Sequence, residues 1–558
     1  MEEPGDHQLR ITKSCNISAG AVDLSAAQDE NYIKGGILSN LKHSWVSCGP
    51  RVTTLNNDDG SLGTGWTFGW ALADPSYKVV CVEELPTGSF TSPILVVGCE
   101  SELNGSCLCF YHSGSSRVLK SIHFNDKITS LGMVSKTNAP SERLSGLLKS
   151  WSGVVAVGTN SGKVYLLDVW WRGLQKCIED HHHSVHDEQR QSKLVEVSIS
   201  DLVENDDCRT NSVRSGSSTL ALWLNEETLQ RQMSPAHPGI QNILGRMPRE
   251  FLAVSVLRYF PQISTLAVGY NTSCFQIWDM SSLTILYTSA LLETMLPVFS
   301  FALLEPSDDP RFVCYLWSLH HSVDEDNLPF AGMYLLNYRE KHCSPYNMLP
   351  HYQGFSSCSL RYELDLGPEL DNMVSGRIIS CQALHRSHNK SSPALLHAEQ
   401  EEASSEEGTA SLLSIVWEVW APNQLATFTQ LTLFDLNQWY RECMPVSSDI
   451  DYSHFMTHFC LPDGTLLDVK VLESSVRQFV TLQPVDEHFY PTAITFQCVC
   501  LQQTQVLSCV HHGTQEVCLQ AIQDGGPSAL LLPSRLYKLC VQAGIKPLLM
   551  DVGSPNSL

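Results

Sequence analysis

Short apolar runs separated by turn-forming residues dominate this chain, and patterns with the period of an amphipathic helix are scarce. The most informative feature is an internal repeat. Residues 155–168 read Val-Ala-Val-Gly-Thr-Asn-Ser-Gly-Lys-Val-Tyr-Leu-Leu-Asp, and residues 266–279 read Leu-Ala-Val-Gly-Tyr-Asn-Thr-Ser-Cys-Phe-Gln-Ile-Trp-Asp. The two align without a gap, matching Gly158 with Gly269 and Asp168 with Asp279. A looser copy begins at Leu95-Val96-Val97-Gly98 and runs through Asn104-Gly105 to Leu108-Cys109-Phe110-Tyr111. Each unit reads as a buried strand ending at a glycine that permits a tight exit, a short turn, and a returning strand that closes on Asp. Trp278-Asp279 is a literal WD dipeptide. Further pairs have the same form: 412–420 with 426–434, and 312–319 with 332–338.

Repeated hairpins of this kind predict an all-β fold, a WD40-like β-propeller. At about 40–45 residues per blade, the 558 residues accommodate seven blades with generous loops. The expected organisation is a polar N-terminal arm over 1–35, the propeller over 36–530, and a short helix and tail over 531–558. Two stretches rich in His, Ser and charge, 180–217 and 385–410, read as loop insertions. Near the end, Ser534 can cap a helix whose Leu536, Leu539, Cys540 and Ala543 share one face before Gly544 stops it.

Composition narrows the class. Apolar residues make up 43% and charged residues 17%, enough for a large core and against global disorder. The net charge of −23 repels phosphate backbones and favours protein partners. The acidic start, Met1-Glu2-Glu3-Pro4, lacks a signal-peptide core, and no apolar run is long enough for a membrane span. The 20 cysteines lie mostly in apolar strand text and read as reduced, buried thiols of a cytosolic or nuclear protein.

Candidate chemistry is sparse. His181-His182-His183 with His186 and Asp187 could ligate a metal, but no second cluster sits at zinc spacing, so a polar loop is the better reading. Cys107-Leu108-Cys109 and Cys498-Val499-Cys500 place both thiols on one strand face, which suits core packing better than a metal site. Gly63-Thr64-Gly65 lacks a P-loop lysine, and no catalytic elbow or zincin motif appears. No catalytic residue, metal or cofactor is expected. Trp278, Trp317, Trp417 and Trp439 read as blade-packing aromatics. Trp170-Trp171 differs: neighbours in a strand face opposite sides, so one of the pair should point outward or sit in a loop, which makes both candidate partner contacts.

Several passages resemble one family. They are Leu266 to Gly269 with Ile277 to Met280; Asp309-Pro310-Arg311 with Cys314-Tyr315-Leu316-Trp317; Arg361 to Leu366; Leu433-Phe434-Asp435-Leu436-Asn437-Gln438-Trp439-Tyr440 with Met444-Pro445; and Phe489-Tyr490-Pro491-Thr492. In this order they resemble the N-terminal propellers of the ELYS nucleoporins, from roughly residue 40 to the end. The resemblance implies a scaffold nucleoporin of the nuclear envelope and nuclear pore complex. Such a protein binds chromatin, recruits the Y-shaped nucleoporin subcomplex and seeds pore assembly. The family's AT-hooks lie in a distant tail; no Pro-Arg-Gly-Arg-Pro core occurs in this chain, which is expected to be a short form or fragment that does not bind DNA through such hooks. The alternatives are a generic WD40 adaptor and, from a different class, a propeller enzyme with His, Asp and Glu gathered in its channel.

Overall fold

In the computed structural model the apolar runs become strands that fold back on one another in sequence. The structure describes residues 7–17, 33–68, 77–85, 92–102, 105–134, 153–169, 253–290, 296–306, 309–321, 328–343, 350–365, 375–385, 410–420, 427–443, 456–478, 492–526 and 535–543, with short pieces at 144, 148, 174, 176–178, 196–198, 221–224 and 545. Seven sheets form, each built on four strands: a seven-bladed propeller. Blade 1 runs from Ile33–Ile37 to Leu62–Thr67, blade 2 from Lys78–Leu85 to Arg117–Phe124, and blade 3 from Ile128–Val134 to Ala221–Leu224. Blade 4 runs from Val254–Phe260 to Thr284–Thr288, blade 5 from Val298–Leu304 to Pro350–Asp365, and blade 6 from Ser375–His385 to Met456–Cys460. Blade 7 takes Leu466–Val471, Ile494–Gln502 and Gln505–His511, and its fourth strand is Arg10–Asn16 from the other end of the chain.

The first strands of successive blades stand side by side around the axis. Hydroxyl groups staple several of them: Thr129 Oγ1 donates to the Val254 carbonyl at 2.5 Å, Ser255 Oγ to Val298 at 2.6 Å, and Ser380 Oγ to Val469 at 2.9 Å. Each staple satisfies a carbonyl at the start of, or within, the next blade's inner strand, so polar groups at the crowded centre are paired across the blade boundary. Between blades the core is apolar; Val154, Ala156, Leu166, Val254, Leu266 and Val268 belong to one such cluster, spanning blades 3 and 4.

The repeat is structural. In both copies the hairpin has the same register, with Gly158 opposite Val164 and Gly269 opposite Phe275. The tight exit lies elsewhere than expected, however. The left-handed turn residue is Gly162 (φ 77°) in one copy and Ser273 (φ 60°) at the matching place in the other. Gly158 and Gly269 are instead steric clearances: a Cβ on Gly158 would lie 2.6 Å from Val254 Cγ1, and one on Gly269 2.7 Å from Val298 Cβ, each in the next blade's inner strand. The closing Asp279 accepts from Ser281 N–H at 2.9 Å and so caps the following turn.

Within 1–35, two strands attach the N-terminal segment to the ring: His7–Gln8 pairs in parallel with Phe459–Cys460 in blade 6, and Arg10–Asn16 closes blade 7. Among the described residues, two helices follow the last blade strand. Helix α2 (Thr514–Gly525) precedes α3 (Arg535–Gln542), and α1 (Leu436–Cys443) interrupts blade 6. Cys540 of α3 and Ala543 just past its end are buried, while Tyr537 and Val541 are exposed, the face expected from the sequence. The 180–217 and 385–410 insertions fall largely outside the described residues; of them, Glu196–Ser198 pairs in parallel with blade 2. No described helix is long and apolar enough to cross a membrane.

Candidate interaction site

Two passages about 130 residues apart in sequence meet at the boundary of blades 5 and 6. One is the turn Asp309-Pro310-Arg311 that leads into the strand Val313–His320. The other is the end of Thr427–Asp435 and the helix α1 that follows it. Asp435 starts that helix: its Oδ1 accepts from Asn437 N–H at 3.0 Å and Gln438 N–H at 3.2 Å, an N-cap at the point where the strand ends. The cap sets the helix so that Leu436 and Trp439 turn inward, 0% and 5% exposed. Trp439 then meets Tyr315 edge-on at 5.5 Å, and Trp317 meets Phe434 at 5.0 Å. These aromatic contacts weld blade 5 to blade 6.

Above them sits a charged clamp. The Asp309 side chain is 1% exposed. It accepts from Arg311 N–H at 2.8 Å, from Arg311 Nε at 3.2 Å and Nη2 at 3.1 Å, and from Tyr440 OH at 2.5 Å. Arg311 Nη2 also donates to Tyr440 OH at 2.8 Å. Burial works to raise the Asp309 carboxyl, but the hydrogen bonds from Arg311 and Tyr440 outweigh it and hold the group below the usual carboxylate range. The same bonds raise Arg311 above the ordinary guanidinium value. Asp309→Ala should therefore leave four donor groups, three on Arg311 and one on Tyr440, without this acceptor. The expected cost is about 2–3 kcal/mol, read as a lower unfolding midpoint and faster hydrogen exchange across 436–443; Tyr440→Phe should cost less.

What the clamp presents outward is an arginine held in one geometry, 50% exposed, followed by Phe312 at 39%. Arg and aromatic residues are the types that concentrate binding energy at interfaces, and pre-ordering them lowers the entropy lost on docking.

The channel offers different chemistry. Glu83, on the inner strand of blade 2, feels charges on the inner strands of blades 4 and 7. Enclosure by protein raises its carboxyl to about 7, and Arg258 and Lys470 oppose that rise while Glu84 and Asp468 add to it. Asp468 is itself engaged, accepting from Ile37 N–H at 2.8 Å. A folded-state value above the ordinary 4.5 means that Glu83 is tolerated when protonated and penalised when ionised, so stability is lost as pH rises through about 7. Glu83→Gln should remove about 1–2 kcal/mol of the stability lost between pH 5 and pH 8, allowing for water that reaches the channel. Thermal unfolding at the two pH values checks this.

Of the residues singled out from sequence, Trp278, Trp317, Trp417 and Trp439 are buried blade-packing side chains. Trp170 and Trp171 lie outside the described residues, as do His181, His182, His183, His186 and Asp187; the neighbouring Val169 is buried and bonds back to the Gly153 carbonyl at 2.9 Å. Gly63 and Gly65 sit in the outermost strand of blade 1. The Cys107 and Cys109 sulphurs are buried 3.6 Å apart, and Cys498 and Cys500 are buried side by side.

The family model for the beta-propeller of ELYS nucleoporin matches residues 29–508. This chain belongs to the ELYS nucleoporin propeller family. It is 26% identical to human Protein ELYS over 538 residues, covering 92% of this chain and 22% of that protein. It is 25% identical to the Xenopus laevis protein over 528 residues, covering 90% and 20%. The chain thus spans about a fifth of the length of these curated relatives. Among solved structures, the Chaetomium thermophilum Nup170 N-terminal domain, crystallised with Nup53, overlays with a TM-score of 0.48 at 10% identity, covering 97% of this chain and 67% of that one. Two of the passages that carry the ELYS resemblance, 309–317 and 433–440, are the two halves of the clamp.

Proposed function

We propose that this chain is a non-enzymatic docking platform of the nuclear pore complex, which attaches to the Y-shaped nucleoporin subcomplex at the nuclear envelope and contributes to pore assembly. The observation that carries this reading is the convergence of the two ELYS-like passages on one rigid seam that exposes Arg311 and Phe312. A ring of seven sheets supplies a stiff frame, and binding then depends on a few fixed side chains rather than on reshaping of the ring. A direct grip on DNA has less in its favour, because a net charge of −23 opposes a phosphate backbone. Contact with nucleosomes would have to run through their basic proteins.

The test is affinity capture from nuclear extract with the tagged chain as bait. Wild-type protein should enrich Y-complex nucleoporins, and an Arg311→Ala/Phe312→Ala double variant should retain about 10-fold less. A Trp170→Ala/Trp171→Ala variant, run in parallel, tests the other candidate contact. A folded bait that enriches no Y-complex component refutes the reading.

A further inference from the structure

The last blade holds a cluster that docking does not use. Cys498 and Cys500 occupy alternate positions of the strand Ile494–Gln502, on one face. Cys509, on Gln505–His511, stands directly opposite Cys498 in the sheet register. Sheet geometry alone spaces such a triangle of Cβ atoms at about 5–8 Å, wide enough for three thiols to lean apart. Here they lean together: the three sulphurs all lie within 4.8 Å of one another. All three residues are buried, at 1%, 0% and 1% exposure, among Leu507, Phe496 and Val469 of the same core.

We propose that Cys498, Cys500 and Cys509 form a three-thiolate site for a thiophilic closed-shell cation, Zn2+ or Cu+. Metal–sulphur bonds of about 2.3 Å place the sulphurs of a trigonal site about 4.0 Å apart, so a small inward rotation of the three side chains completes it without moving the backbone. The donors are soft and the surroundings dry, the setting that selects these two ions over Mg2+ or Ca2+. Each thiol that ligates releases its proton to solvent. Three sulphurs suit a three-coordinate Cu+, whereas Zn2+ takes a fourth donor. A bound ion would tie Ile494–Gln502 to Gln505–His511, the strand against which Arg10–Asn16 closes the ring.

The test uses the full chain, purified under reducing, metal-free conditions and titrated separately with Zn2+, with Cu+ held by a competing chelator, and with Cd2+ as a spectroscopic probe. The expected result is one tight equivalent, a thiolate-to-metal charge-transfer band with Cd2+, and an upward shift of the unfolding midpoint. Competition between the Zn2+ and Cu+ arms identifies the ion. Cys509→Ser and Cys509→Ala should each remove that equivalent, and Cys107→Ser in blade 2 should keep it. The Ala variant guards against misfolding caused by an unpaired buried hydroxyl. Folded wild-type protein that takes up no metal, or an equivalent that survives both Cys509 variants, overturns the proposal.

Discussion

Deleting residues 1–17 should open the ring. The strand Arg10–Asn16 is the outer edge of blade 7, paired from Arg10 opposite Val510 to Asn16 opposite Gln505. Its attachments reach three blades. Leu9 is buried in the core shared by blades 6 and 7, and His7–Gln8 pairs with Phe459–Cys460 of blade 6. Thr12 Oγ1 donates to the Ser508 carbonyl at 2.9 Å, while Cys15 Sγ approaches the Asp58 carbonyl of blade 1 at 3.3 Å. With each net hydrogen bond worth about 1 kcal/mol and burial of Leu9 about 2 kcal/mol, the strand contributes on the order of the whole stability of a domain. The truncated chain should therefore unfold tens of degrees lower or aggregate through the exposed edge of Gln505–His511. Adding a peptide of residues 7–17 should restore part of the loss. A truncated chain that melts cooperatively within a few degrees of wild type would show that the ring is held by blade packing alone.

The same strand shows why some of the fold could be read from sequence and some could not. The hairpins of blades 3 and 4 announce themselves because all six residues of Val154–Thr159 and of Thr265–Tyr270 are buried, so selection for packing leaves a continuous apolar run. Arg10–Asn16 is exposed along nearly its whole length and is held by its backbone, which leaves no apolar period to read. Length was compatible with seven blades but did not fix their number, because the chain per blade varies from 33–67 in blade 1 to 128–224 in blade 3. The clamp was not: Asp309 and Tyr440 are 131 positions apart, and no spacing rule links them. Only the start of α1 left a local signal, an Asp that caps two successive N–H groups, and it was masked by the strand text that precedes it. The cysteine triangle was half legible, since the alternation placed Cys498 and Cys500 on one face, but the register that adds Cys509 exists only in the folded sheet.

Gly269→Val should cost more than any surface change in the molecule, about 4 kcal/mol or more, and Gly269→Ala about 2–3 kcal/mol. Gly98, Gly158 and Gly269 occupy equivalent places in blades 2, 3 and 4, and none has a left-handed backbone. Their requirement is space. A Cβ would meet Cys81 Sγ at 2.6 Å and Ile128 Cγ2 at 3.0 Å from Gly98, Ser130 Oγ at 2.3 Å from Gly158, and both Val256 Cγ1 and Val298 Cβ at 2.7 Å from Gly269. In each case one atom belongs to the blade's own inner strand and another (Ile128, Val254 or Val298) to the next blade's, so an added methyl pushes adjacent blades apart at the hub, where the ring has least room to yield. Gly49 provides the contrast. Its φ is 56° and nothing lies within 4 Å of its virtual Cβ, so Gly49→Ala should cost only the backbone term of about 1 kcal/mol. Denaturant unfolding of the two alanine variants separates the mechanisms. If Gly269→Ala loses no more than Gly49→Ala, the repeated glycine is a matter of local turn geometry; if it loses two to three times as much, the glycine of the repeat is what lets each blade's second strand lie flush against its neighbour, and the curvature of the ring is written into that one position.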